Sequence, residues 1–278
     1  MDVMIHSSTF LLPGNDHSSS VTYALVVLNQ RLPRFTPILW NHGSVSLVFF
    51  SFFACLRACA SVTITAQVRV CADGGANRLF DEMPLLFPRD DAIDVRHRYK
   101  PDIIKGDMDS IRTEVLDFYT NLGTKVVDES HDQDTTDLRK CVAYVRDLAP
   151  NLDKSNLCIL VAGALGGRFD HEAGNINVLY RFSTIRIILL SDDCLIYLLP
   201  RTHHHEIHIQ SSVEGPHCGL IPIGMTSVST TTTGLQWDLT DTEMRFGDLV
   251  STSNLVQGEK ITVQSSSDLL WTISIKKT

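Results

Sequence analysis

The chain has 278 residues, 44% hydrophobic and 20% charged, with a formal net charge of −8. That is enough chain for one large or two modest domains with true cores, and the absence of a Lys/Arg cluster sets aside a nucleic-acid reader. The seven cysteines contain no CxxC pair and are odd in number, which suits reduced thiols in a cytoplasmic protein better than a disulfide framework.

Residues 1–20 hold no Lys or Arg but include Asp2 and Asp16, which argues against a secretory or transit peptide. The expectation there is a flexible polar tail. Ser44 to Ala66 is apolar over most of its length and almost long enough to span a bilayer, but Arg57 near its middle costs roughly 2.5–3.5 kcal/mol there. A membrane span, an extra buried element and a poorly ordered insertion all remain open for it, with a span the least favoured. From Tyr23 to Ser191, Val/Ile/Leu-rich runs predict strands at 23–29, 69–73, 102–107, 125–130, 158–164 and 185–191. Amphipathic stretches lie between them, the clearest from Thr136 to Leu148 with Leu138, Val142, Val145 and Leu148 at helical spacing. This alternation predicts an open α/β sheet domain over 21–193, whose ligands collect at the carboxyl ends of the strands. After Asp193 the segments are short, rich in Thr, Val and Ile, and separated by Gly, Pro, Asn or Asp. They predict an all-β sandwich over 194–278.

Four acidic or glycine-rich clusters follow four of the predicted strands. Asp73, Gly74, Gly75 and Asn77 end one strand and open a helix, where a backbone can approach a phosphate; the alternative is a plain tight turn. Asp107 and Asp109 alternate after DIIKG, which on an extended chain puts both carboxylates on one side and calls for a cation; a solvated acidic turn is the alternative. Asp132, Gln133, Asp134 and Asp137 crowd the loop before the best helix, with Asp134 also readable as an N-cap. Gly166, Gly167, Arg168 and Asp170 again join strand to helix, and a guanidinium matches phosphate bidentately. Together the clusters point to a magnesium–nucleotide site. In the β half, Trp237 reads either as core or as a stacking platform for a flat cationic ligand. His203, His204, His205 and His208 alternate as an exposed edge strand would, which is favoured over a metal tract.

The motifs VVLNQ (26–30), CADGGANR (71–78), KGDMDSIR (105–112), DQDTTD (132–137), GGRFDH (166–171), CGLIPIG (218–224), TTTGLQWDL (231–239), LVSTSN (249–254) and LLWTISIK (269–276), in this order, resemble the eukaryotic thiamin pyrophosphokinase family. The resemblance implies a Rossmann-like catalytic domain that uses ATP and Mg2+, followed by a β-sandwich that binds thiamin. It also implies a homodimer with active sites at the subunit interface. By that likeness Asp107, Asp109 and Asp137 would hold magnesium, and the ADGG and GGRFDH motifs would meet nucleotide phosphates. Trp237 would sit in the thiamin site, with Gln133, Ser251 and Ser253 as further substrate contacts. Asp132 or Asp134 would accept the thiamin hydroxyl proton. Residues 44–66 stand as an insertion relative to the family pattern. The rival readings are an Asp-nucleophile phosphatase, because DMDS resembles a DxDx[TV] loop, and a thiamin- or nucleotide-binding protein disabled by the insertion.

Overall fold

The computed structural model describes residues 2–13, 21–41, 68–148 and 156–277. The 44–66 segment lies outside the described residues. Its two flanks meet nonetheless: Arg69 Nε donates to the Trp40 carbonyl at 3.1 Å, and the guanidinium lies 5.5 Å from the Trp40 ring centre.

All six predicted strands of the first half form. They are β2 (Thr22–Val27), β3 (Val68–Ala72), β4 (Ile103–Gly106), β5 (Lys125–Asp128), β6 (Leu157–Ala162) and β7 (Arg186–Leu190). They pair in parallel in the order β7-β6-β2-β3-β4-β5. Strand β2 shows why the continuous apolar run was legible. Leu25 and Val27 enter the core on one face, while Ala24, Val26 and Leu28 enter the core on the other. Both faces are covered, so every position must be apolar. The first face carries α1 (Thr36–Asn41), α2 (Gly75–Glu82), α3 (Ala92–Arg98) and α4 (Thr113–Asn121). The second carries α5 (Asp137–Leu148) and α6 (Phe169–Arg181).

The sheet does not stop at the expected domain boundary. Strand β8 (Cys194–Leu199) pairs antiparallel with β7, and β15 (Leu269–Ile275), β10 (Glu214–Ile221) and β13 (Ser251–Leu255) extend it to ten strands. A second sheet of five strands faces this extension. It contains β9 (His203–His208), β11 (Ser227–Thr233), β12 (Thr242–Met244) and β14 (Lys260–Ser265). The β half is therefore a sandwich, but one of its sheets is the continuation of the parallel sheet.

The expected flexible tail is the fifth strand of that second sheet. β1 (Asp2–Ser7) pairs in parallel with β9 over its whole length. Phe10 behind it is completely buried, and Ser8 Oγ donates to the buried Glu214 at 2.7 Å. The partner strand lies some two hundred residues away, so nothing in the local pattern reveals the pairing. Because β1 covers it, β9 is an interior strand, not the exposed edge its histidines suggested. His205 is spent on structure, with Nδ1 3.0 Å from His6 Nε2 and Nε2 2.9 Å from the Pro200 carbonyl oxygen.

Candidate active site

The order of the parallel strands reverses beside β2, whose neighbours β6 and β3 continue in opposite directions. A crevice opens at the carboxyl ends of strands at such a point. Here it is a cavity of about 610 Å3, lined by Leu28–Gln30 after β2, Gly74 after β3, Asp107, Asp109 and Ser110 after β4, and Gly163 after β6. The start of α5 contributes Thr136 and Asp137, and that of α6 contributes Arg168, Asp170 and His171.

Asp107 and Asp109 do converge, though not along an extended strand. Strand β4 ends at Gly106, and Met108 has a φ of 63°, so a left-handed turn places the two carboxylates together. Asp73 joins them, and one oxygen from each of the three lies within 4.8 Å of the others. Asp73 is fully buried, and its two oxygens accept the Ser110 and Ile111 amides at 2.9 and 3.0 Å. Burial raises its pKa despite these bonds, whereas the Ser110 hydroxyl lowers that of the exposed Asp109. Asn77 serves the same loop, donating to the Ser110 carbonyl and accepting the Arg112 amide. Both residues, expected at nucleotide phosphates, hold the aspartate loop in shape.

Thr136 caps α5, its hydroxyl accepting the Arg139 amide at 3.4 Å and its carbonyl the Lys140 amide. The N-cap reading of Asp134 is thereby replaced, and Asp137 is free to face the cavity. Burial, then the charges of Asp107 and Asp73, push its carboxyl up to about 6. Asp137 lies outside the set of three converging carboxylates but feels the same field. Asp132, Gln133 and Asp134 do not line the cavity. Asp132 accepts the Asp134 amide and the Thr135 hydroxyl, and Gln133 donates to the Ser130 carbonyl, so both hold the loop.

The glycines divide in the same way. A Cβ on Gly75 would sit 2.1 Å from the Val27 carbonyl oxygen, so this glycine lets α2 press against β2. Gly166 and Gly167 donate their amides to Glu172 of the same chain, both at 2.9 Å. The exposed Arg168 pairs with Asp170 at 3.1 Å on the cavity wall, where a phosphate could replace that partner. Trp237 is 55% exposed, which excludes the core reading. The buried Asn254 fixes its backbone, accepting the Trp237 amide at 3.2 Å and donating to its carbonyl at 2.9 Å. Trp237, Ser251 and Ser253 do not line the cavity. Asn29, Gln30, Ser110, Thr135, Thr136, His171 and Asn175 line it without having been picked out from the sequence, although all but Asn175 fall within recognised motifs.

Two family models match the chain: the thiamin pyrophosphokinase catalytic domain over residues 59–189 and its vitamin B1 binding domain over 204–270. Thiamine pyrophosphokinase 1 of Arabidopsis thaliana is 67% identical, covering 100% of this chain and 96% of its own. The chain belongs to the thiamin pyrophosphokinase family. Thiamine pyrophosphokinase 1 of Oryza sativa subsp. japonica is 58% identical over 99% of both chains. The crystal structure of yeast thiamin pyrophosphokinase superposes with a TM-score of 0.74 at 24% identity, covering 99% of this chain and 91% of that one. This last likeness concerns the fold, and it includes the sandwich as well as the parallel sheet. Among the described residues no helix is long and apolar enough to cross a membrane.

Proposed function

We infer that the chain transfers pyrophosphate from ATP to thiamin, as membership of the family implies. The thiamin hydroxyl oxygen bonds to the β-phosphorus of ATP. The bond between that phosphorus and the oxygen bridging it to the α-phosphorus breaks, AMP leaves with that oxygen, and the hydroxyl proton is released to solvent. Such transfers depend on positioning and on neutralising phosphate charge. The observation that carries the reading is the convergence of Asp73, Asp107 and Asp109 at the reversal of a parallel sheet.

An all-oxygen, carboxylate-rich donor set suits a hard divalent cation, and Mg2+ is the one that commonly accompanies nucleotide phosphates. Asp107 and Asp109 would hold it, with Asp137 facing them from α5. When bound, the cation supplies charge neutralisation at the phosphate oxygens. Arg168 would exchange Asp170 for a phosphate, while Asp73 and Asn77 keep the aspartate loop in its left-handed turn. Asp132 is already hydrogen-bonded within its loop, and a loose transition state makes little demand on a general base.

The exposed Trp237 is the proposed thiamin platform, its indole face suited to the cationic thiazolium. It lies outside the phosphate cavity of its own chain, which supports a homodimer in which one copy brings Trp237, Ser251 and Ser253 to the aspartates of the other. Cys71, Cys141, Cys158, Cys194 and Cys218 are all unpaired, which supports a reducing, cytoplasmic setting. Purified protein given ATP, Mg2+ and thiamin should form AMP and thiamin diphosphate in equal amounts. Asp107→Asn and Asp109→Asn should each lose turnover by orders of magnitude with the fold retained. Phosphate release from ATP without thiamin diphosphate, or near-normal turnover in both variants, would overturn the reading.

A further inference from the structure

Two lysines are buried beneath the parallel sheet's carboxyl ends. Lys105 on β4 has its own partner in Glu129. Lys140 is paired more loosely, with Asp107. It lies one turn into α5 after Asp137, its side chain is only 2% exposed, and its ammonium makes no hydrogen bond among the described residues. Leu138, Cys141 and Val142, its neighbours along the helix, are buried too. The closest opposite charge is Asp107 Oδ2 at 3.5 Å. A buried charge without hydrogen bonds is costly, and it persists only where surrounding charges hold it. Asp107 belongs to the converging carboxylates and Asp137 faces them, so the acidic cluster is what holds Lys140. Lys140 is not among the residues lining the cavity, so it acts from behind the aspartates rather than on the substrate.

We propose that Lys140 is a positioning residue for the transfer reaction: its buried ammonium is the fixed counter-charge of the aspartate cluster, gathering the carboxylates before a divalent cation arrives and competing with that cation for Asp107 afterwards. This rests on the assignment of Asp107 as a cation ligand. Two opposite effects follow from removing the charge. The metal-free cluster loses the cation that offsets its mutual repulsion, so the metal-free protein melts at a lower temperature. A divalent cation then meets a more negative site with no resident competitor, so it binds more tightly. A lysine that merely filled space would, when changed, loosen the site and weaken binding.

The test uses Mn2+ titrated into nucleotide-free protein at pH 8, with thermal melts in chelator and in saturating Mg2+. Lys140→Gln should bind Mn2+ tighter by on the order of tenfold, melt lower than wild type in chelator, and gain more from Mg2+ than wild type does. It should also turn over more slowly, with the thiamin KM little changed. Lys140→Arg, which keeps the charge, should hold the wild-type Mn2+ affinity. Unchanged or weaker Mn2+ binding in a folded Lys140→Gln protein overturns the proposal while leaving the metal assignment standing. A Lys140→Gln protein that stays unfolded in saturating Mg2+ overturns it as well, because the cation should replace the missing charge. Wild-type protein that takes up no Mn2+, or Asp107→Asn that binds it as tightly as wild type, removes the metal assignment itself and the proposal with it.

Discussion

At the residue scale, the site separates aspartates that face the cavity from those that build it. Asp107, Asp109 and Asp137 line it, whereas Asp73 and Asp132 are occupied by hydrogen bonds that shape loops. The motifs contain the residues that gather there, but the converging set holds Asp73 where Asp137 was expected, because identity alone cannot assign such roles. Asp73 and Asp107 each follow a parallel strand, and only the Met108 turn and the Ser110 and Ile111 amides distinguish them. Asp137 differs again, because no hydrogen bond reaches its carboxylate from the described residues and burial raises its pKa to about 6. In metal-free protein the folded state therefore keeps a proton that the unfolded chain has released between about pH 4 and 6. The stability this group contributes is full below the unfolded value and is lost as pH rises through 6. Asp137→Asn removes the penalty at neutral pH. It also loses a favourable helix-start charge, worth up to about 2 kcal/mol at a partly buried site, which offsets part of that gain. The expected outcome is a variant that melts above wild type in chelator at pH 7.5, shows a smaller difference at pH 4.5, and turns over poorly with Mg2+. A variant that melts below wild type at pH 7.5 would show that the carboxylate is stabilising after all.

At the element scale, legibility followed sequence distance. The interior parallel strands declare themselves because both of their faces are covered, the edge strand β5 by its short Val126–Val127 run, and α5 by its apolar spacing. Strand β1 is different. Val3 and Ile5 are exposed while His6 is buried, so its pattern runs against the usual apolar-inward alternation. Its place depends on pairing with β9, which a local reading cannot see. The sheet crosses residue 193 through the local β7–β8 hairpin, and what sequence distance hid is β15, which joins β8 from the far end of the chain. If β1 and the turn after it are integral, removing residues 2–11 should be severe. Phe10 is fully buried, and losing a buried Phe side chain costs about 3–5 kcal/mol. Glu214 would also lose the Ser8 hydroxyl while remaining buried, at a further cost of about 1–3 kcal/mol. The sum approaches the whole stability of an ordinary domain. The truncated chain should unfold at a much lower denaturant midpoint or fail to accumulate as soluble protein. An unchanged midpoint would restore the reading of residues 1–20 as a flexible tail.

At the scale of the whole molecule, the aspartate-lined cavity and the Trp237 surface are held by one sheet system, yet Trp237 does not line that cavity within one chain. Asn254 holds the Trp237 backbone from both sides while the indole itself stays 55% exposed, an arrangement that presents an aromatic face without burying it. If a second copy supplies the missing half, the two halves can be inactivated on different chains and recombined. Asp107→Asn spoils the phosphate half of a site, and Trp237→Ala spoils the thiamin half. In a two-fold dimer with each site built from both copies, a heterodimer of the two variants contains one intact site and one doubly damaged site. Random pairing at equal amounts makes half the dimers heterodimers, so co-expressed or co-refolded variants should recover about a quarter of wild-type turnover. Each variant alone should show far less, and Trp237→Ala alone should raise the thiamin KM more than the ATP KM. Light scattering should give a dimer mass for the wild type and for the mixture. A monomer mass, or a mixture no more active than the average of its parts, would mean that Trp237 serves the cavity of its own chain through a movement of the sandwich, and the proposed interface site would be abandoned.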